Sequence, residues 1–319
     1  MTKKYSNVYI NDKYSILSSI KYNPIVKNNV NKIIDDYYLN QKTVELAEAK
    51  LQELTIKSII NNNKKHNISL LIGGDLQNQI LASTLGSVKF KIPHLGIYSA
   101  CATFVEGLII ASNFVSDNSV VVTTSSHNLV SEKQFRFPVE YGALRKRVNT
   151  CTASGSISTL ISNKKSNIKI ESSTIGFITQ TNHKDANDMG SAMAPSCAEV
   201  LIKHLKDTNR NVNYYDLILT GDLGIYGAKI MKEYYKKVTN KKINNLIDSG
   251  SIFYNDENIY AGASGPACLP LVLFDYILKL KKYKKILIIG TGSLHSVLSS
   301  NLKIPIPSVS HAVSLEVSY

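Results

Sequence analysis

Cys101 sits in Tyr98-Ser99-Ala100-Cys101-Ala102-Thr103, between an apolar run and a helix start rich in small residues. A thiol at a helix N-terminus has its thiolate stabilised by free backbone N–H groups and by the helix dipole, which suits a nucleophile or an anion-contacting group. A free cysteine also serves as a small buried hydrophobe, and the local sequence fits that role as well. Ser125-Ser126-His127-Asn128 follows a run of valines, at the carboxyl end of a strand where open α/β sheets bind ligands. His127 is there a base, a donor to an anion, or a cap. Arg136 lies between Phe135 and Phe137 within the stretch from Glu132 to Gly142, which suits a cation beside a planar or anionic group. An ion pair with Glu132 or Glu140 accounts for it equally. Gly262-Ala263-Ser264-Gly265-Pro266 precedes a helix, so its N–H groups could meet an anion, and a tight helix start without ligand would look the same. The second half also carries His295 and His311.

The elements that must position these groups follow from hydrophobic periodicity. A helix is expected from Thr43 to Ile60, with buried strands at Ile68–Gly73, Leu95–Ala100 and Ser119–Thr124 and a helix at Cys101–Phe114. Alternating runs at Gly155–Ile161 and Ile168–Ile178 read as antiparallel strands. The second half gives a helix at Ser191–Leu205, a strand at Asp216–Thr220, a helix at Ala228–Lys237, a helix at Pro266–Lys281, a strand at Lys285–Gly290 and a last strand pair ending at Ser308–Val317. Residues 1–42 are polar with little periodicity and read as an irregular leading segment. Two stretches recur: Leu70–Leu76 matches Leu217–Leu223 around a shared Gly-Asp-Leu, and Val120–His127 matches Ile286–His295. A duplicated α/β unit explains both, with a leading segment at 1–42, a first half at 43–185 and a second at 186–319.

Composition narrows the function classes. The chain has 319 residues, 44% of them hydrophobic and 19% charged, which excludes a disordered chain and a disulfide scaffold. Cys101, Cys151, Cys197 and Cys268 form no CxxC pair, so no metal or redox centre is expected and free thiols are the default. Neither a Walker A sequence, GxGxxG nor HExxH occurs, and no cofactor is expected. The net charge of +13 fits a lysine-rich solvated surface, an anionic ligand or an anionic membrane surface. Scattered basic residues without interleaved aromatics argue against nucleic acid. The Leu95–Val115 stretch is apolar enough in length to span a bilayer but is broken by Glu106, so a buried strand-to-helix unit is expected instead.

Taken together, a duplicated α/β unit with a cysteine at the helix start of its first half resembles the thiolase and ketoacyl synthase fold. A narrower resemblance is carried by Gly73-Gly74-Asp75-Leu76-Gln77-Asn78-Gln79, by Tyr98–Thr103, by Ser125–Asn128, and by Glu132–Gly142. Asp188–Pro195, Gly221–Gly224 and Ser310–Val313 carry it further. These resemble the stage V sporulation protein AD family from about Asp35 to the C-terminus. The resemblance implies thiolase-like halves of βαβαβαββ order in a layered αβαβα architecture. It also implies a non-enzymatic subunit of the spore channel for dipicolinic acid, alone or as its calcium complex. That subunit would lie peripherally on the inner membrane of forespore and spore beside membrane-embedded sister subunits, would be soluble when isolated, and leaves a homodimer open. Condensing enzymes carry a second-half histidine before a Gly-rich helix start, whereas Tyr260–Gly265 has none. A cysteine alone lacks the base and oxyanion partner that acyl transfer needs. The expected ligand-binding residues are Cys101, His127 and Arg136, with His295, His311, Gly262 and Gly265 from the second half. The alternative is an acyl-transferring condensing enzyme with Cys101 as nucleophile.

Overall fold

In the computed structural model, which describes residues 1–135 and 146–319, the two halves follow one plan. The first half contains β1 (Thr2–Lys4), β2 (Tyr9–Leu17), β3 (Lys32–Ile33), α1 (Val44–Asn62), β4 (Ile68–Gly74), α2 (Leu81–Ser87) and β5 (His94–Gly96). It continues with α3 (Thr103–Phe114), β6 (Ser119–Ser126), α4 (Asn128–Phe135), β7 (Cys151–Thr152) and β8 (Gly155–Ser162). The second contains β9 (Ile168–Ile175), β10 (Thr179–Gln180), α5 (Met189–Thr208), β11 (Leu217–Thr220), α6 (Gly224–Thr239) and β12 (Leu246–Asp248). After these come α7 (Ser249–Phe253), β13 (Ala263–Ser264), α8 (Cys268–Val272), β14 (Lys285–Ser293), α9 (Val297–Asn301) and β15 (Pro307–Val317).

The main strand path runs β12-β11-β14-β15-β9-β2-β8-β6-β4-β5. Read outward from its middle, each side repeats the same pattern. In the first half β5, β4 and β6 are parallel, and β8 and then β2 join antiparallel. In the second, β12, β11 and β14 are parallel, and β15 and then β9 join antiparallel. The halves meet where Tyr9 and Ile10 of β2 pair with Lys169 and Ile168 of β9. The two sequence repeats therefore occupy equivalent strands, β4 with β11 and β6 with β14.

Continuous burial explains the parallel strands. All eight residues of β6 and all four of β11 are buried, as expected when helices cover both faces. Helix α3 lies between the halves and touches both β6 and β14. Phe104 of α3 meets Phe274 beyond α8 edge-on at 6.3 Å, which marks the middle of the largest core cluster. Helices α1 and α5 cover the outer faces, α1 on β2, β6 and β8 and α5 on β14 and β15. The result is the layered αβαβα arrangement. At the start of α1, Thr43 caps the helix by accepting from the Leu46 N–H at 3.3 Å.

The structure corrects four sequence expectations. The leading segment is not irregular: β2 lies inside the sheet and is the first-half counterpart of β9. Its period is masked because Lys13, on this strand, pairs with buried Asp275 instead of facing water. The strand expected at Leu95–Ala100 stops at Gly96, because Ala100 takes a left-handed φ of 49° that ends extended structure. The helix expected at Pro266–Lys281 begins at Cys268 and changes pitch, to a π turn at Leu273–Ile277 and a 3₁₀ turn at Leu278–Leu280. The last strand pair is instead one eleven-residue strand, β15.

Candidate ligand cavity at the junction of the halves

The cysteine is held at a sharp corner between β5 and α3. Thr103 Oγ1 accepts from the Ser99 N–H at 3.0 Å and donates to the Ala100 carbonyl at 2.6 Å. The Ala102 N–H donates to the Ser99 carbonyl at 3.0 Å. This closed turn holds Ala100 in its left-handed conformation and aims Cys101 off the helix start. Strand β14 of the other half supports the corner through two glycines. A Cβ on Gly292 would lie 2.1 Å from the Ser99 carbonyl oxygen, and one on Gly290 would lie 3.1 Å from the Ala102 Cα. We expect Gly292→Ala to displace the Ser99–Cys101 corner and lower stability by roughly 1–3 kcal/mol, as overpacking does. Urea denaturation measures the loss.

Cys101 lines a narrow inner cavity, with about 50 Å³ of room for the centres of water-sized molecules. Tyr98 and Phe135 give it aromatic walls, and Leu76 and Met189 give it apolar ones. Hydroxyls, an amide and a carboxyl group line much of the remainder: Ser131, Glu132, Asn149, Thr150 and Thr152 from one side, Ser264 and Ser293 from the other, with His295 beside them. Several of these are satisfied internally. Thr150 Oγ1 donates to Ser264 Oγ at 2.9 Å, and Asn149 Nδ2 donates to the Asn187 carbonyl at 3.2 Å. Two are not: Ser131 Oγ and His295 Nε2 are buried with no hydrogen-bond partner among the described residues. Buried polar groups are nearly always paired, so two orphans on one cavity wall mark where a ligand's polar atoms fit. His295 Nδ1 lies 3.1 Å from Ser293 Oγ, and the ring stacks at a tilt on Phe135 at 5.3 Å. Burial lowers its pKa, so the imidazole is neutral. In the tautomer whose Nδ1 accepts from the Ser293 hydroxyl, Nε2 carries the proton toward the cavity; in the other, Nε2 is an acceptor there.

The structure brings Cys101 and His295 together on this cavity. Gly265 lies directly behind, with its N–H facing the Cys101 thiol. Its φ of +105° belongs to glycine, and a Cβ there would sit 2.6 Å from Ser126 Oγ. His127, His311 and Gly262 are not among the cavity's described walls. His127 is fully buried and donates from Nε2 to the Tyr37 carbonyl at 2.9 Å. His311 accepts from the Gly176 N–H at 3.2 Å through Nδ1, and burial pushes its pKa down to about 4. Gly262 accepts from the Cys151 N–H at 2.8 Å and links β7 to β13. Arg136, together with Glu140, lies outside the described residues.

One group that sequence reading passed over stands behind the cysteine. Asp222, in the second copy of the Gly-Asp-Leu repeat, is fully buried, and neither carboxyl oxygen has a hydrogen-bond partner. The Cys268 thiol and the Gly265 N–H face it outside hydrogen-bonding geometry. Burial, then the nearby Asp248, pushes its pKa well up. Burial, then Asp222, does the same to the Cys101 thiol. The repeat itself was the available signal, because Asp75 in the first copy is also fully buried. Ser131 and Ser293 gave no signal, since a serine's burial is not written in its neighbours.

Beyond Tyr98, Phe135 and His295 a wider outer cavity opens. It shares those three residues and Leu76 with the inner one and is otherwise lined by the loop 77–80 and by Leu294–Leu298.

Comparison with known proteins fits this geometry. The sequence profile described as Stage V sporulation protein AD (SpoVAD) matches residues 2–316. Stage V sporulation protein AD of Bacillus subtilis (strain 168) is 37% identical over 294 residues, covering 89% of this chain and 87% of its own length. Among solved structures, cerulenin-bound OleA of Xanthomonas campestris superposes with a TM-score of 0.63 at 13% identity, covering 99% of this chain and 100% of that one. AbyA1, a tetronic acid condensing enzyme, gives 0.58 at 12% identity, with 97% and 99% covered. At such identities the likeness is one of fold, and the fold is thiolase-like.

Proposed function

This chain belongs to the stage V sporulation protein AD family, and on that premise we propose that it is a dipicolinic acid-binding, non-enzymatic subunit of the spore inner-membrane channel. Its role in sporulation follows from the family. The observation that carries the ligand reading is the pair of buried orphans, Ser131 Oγ and His295 Nε2, on a cavity walled by Tyr98 and Phe135. Dipicolinate is a flat pyridine with a carboxylate on each side. The aromatic walls suit its ring. A neutral N–H from His295 and a hydroxyl from Ser131 suit carboxylate oxygens, and the Cys101 thiol adds a third donor. Among the described residues no helix is long and apolar enough to cross a membrane. The proposed attachment is peripheral, through membrane-embedded sister subunits, and depletion of those subunits should release the protein from spore membrane fractions.

Calorimetry with dipicolinic acid, with and without calcium, tests the reading; no heat of binding under either condition would sink it. Cys101→Ala should weaken binding about fivefold, near 1 kcal/mol, with melting temperature nearly unchanged. A large stability loss with binding intact would remove Cys101 from the site. The thiolase-like fold with a cysteine at its helix start favours one other reading, acyl transfer through Cys101. Intact mass after incubation with an acyl-CoA separates the two, since a covalent adduct on Cys101 would support the enzyme.

A further inference from the structure

We propose that Glu48 and Asp75 form a proton-operated latch that holds the loop 76–80 closed against the outer cavity. The inference does not depend on which ligand the cavity takes.

Glu48 of α1 and Asp75, just after β4, are both at least 99% buried, with exposures of 1% and 0%. Each grips the same loop. Asp75 accepts from the Gln77 and Ser83 N–H groups, both at 2.7 Å. Glu48 accepts from Gln77 Nε2 at 3.0 Å and from Ser125 Oγ at 2.8 Å. The loop they hold lines the outer cavity from Leu76 to Ile80. It is strained, because Gln79 and Ile80 sit at φ values of 57° and 50°. That region is unfavourable for any residue with a side chain and more so for branched isoleucine. Gln134 of α4 also ties it, donating from Nε2 to the Leu76 carbonyl at 2.7 Å and accepting from the Asn78 N–H at 3.2 Å, so with the carboxylate grips weakened the strain works against that tie alone.

Among the described residues nothing positively charged pairs with either carboxyl group. From α1, Glu45 faces Glu48 and is itself bound by Lys133 of α4. Gln52 of α1, Ser83 of α2 and Ser125 of β6 supply neutral hydrogen bonds. Tyr98 faces Asp75 from beyond β5, and His94 of β5 lies across Gly73. Two carboxylates in one buried compartment without a cation do not both ionise readily. The compartment also has a place for a proton. Gln77 Oε1 is buried without a partner, and with its amide turned it accepts the O–H of a neutral Glu48.

The direction follows from linkage. Burial, then Asp75, pushes Glu48 up to about 8, and burial pushes Asp75 up to about 6. An opened loop lets water reach Glu48 and returns it to the ordinary carboxylate range. Between those values the closed form binds one more proton than the open form. Closure is thus favoured at low pH, weakens as pH rises, and weakens no further above about 8.

Amide hydrogen exchange of the ligand-free full chain, corrected for the intrinsic rate, reads this directly. Protection of residues 76–81 should fall about tenfold per pH unit, hence about a hundredfold from pH 6 to pH 8, and then level. Glu48→Gln imitates the neutral acid and should keep the loop protected and flat across that range. Should that variant fail to fold, Asp75→Asn is the second: burial still raises Glu48, so the fall in protection should persist but level at a lower pH than in the wild type. A flat wild-type profile, a folded Glu48→Gln variant that keeps the wild-type slope, an Asp75→Asn profile that levels no earlier than the wild type, or loop exchange no faster than that of β4 would each overturn the latch.

Discussion

Replacing Asp248 with alanine will destabilise the fold by roughly 4–5 kcal/mol, a loss reached when several buried donors are orphaned at once. The fully buried carboxylate at the end of β12 accepts four hydrogen bonds. They come from the Leu223 N–H at 3.0 Å, the Gly224 N–H at 2.9 Å, the Ser251 N–H at 2.9 Å and Thr220 Oγ1 at 2.8 Å. Three of the four are backbone groups at the starts of α6 and α7, where N–H donors have no partner within the helix. Alanine leaves all of them dry and unpaired. Asparagine keeps one acceptor oxygen, so Asp248→Asn should cost about half as much. The urea midpoint should move while the slope stays constant, because the same surface is exposed on unfolding. A loss under 1 kcal/mol for alanine would mean that water enters and replaces the carboxylate. The same clamp fixes the turn carrying Asp222, so dipicolinate binding, if the cavity takes it, should weaken in Asp248→Asn beyond what unfolding removes.

The legible parts of this fold were those where burial is uniform. Strands β4, β6 and β11 show as short apolar runs because helices cover both of their faces, and the repeat of Leu70–Leu76 at Leu217–Leu223 correctly marked equivalent strands. Strand β2 was illegible for the opposite reason. Its middle residues are half-buried, and Lys13 contributes a charge whose partner, Asp275, lies 262 residues away. No local window contains that pairing. The helix after Gly265 was misread in pitch because apolar periodicity does not distinguish an α turn from a π turn within five residues. At the site, Cys101 was legible from its helix start. The orphaned Ser131 and His295 atoms were not, since a missing hydrogen bond is a property of three-dimensional neighbours alone. From the sequence His127 ranked ahead of His295 and His311, and only position in the folded chain separates His295, on the cavity wall, from the two that are off it.

Asp222→Asn will accelerate alkylation of Cys101 by about tenfold or more at pH 8. A thiol at a helix start ordinarily ionises readily, yet here burial and then Asp222 hold the thiol protonated. The two acids share one buried space, so the first to ionise opposes the second. Both groups are pushed up, Asp222 from the lower ordinary value, and a charge on Asp222 opposes ionisation of Cys101. Asparagine has the same shape and cannot take that charge, so the thiol then titrates alone, and each unit by which its pKa drops raises the thiolate fraction tenfold. Iodoacetamide labelling followed by peptide mapping reads the rate, with fully buried Cys197 as the control, since it neither lines the cavity nor faces Asp222. An unchanged rate would show that burial by itself keeps the thiol inert. The expected acceleration bears on function as well as reactivity. A thiol kept protonated donates a hydrogen bond to a carboxylate where a thiolate would repel it. On the proposed function, one buried acid behind the helix start would keep the thiol at this position a donor to a bound carboxylate.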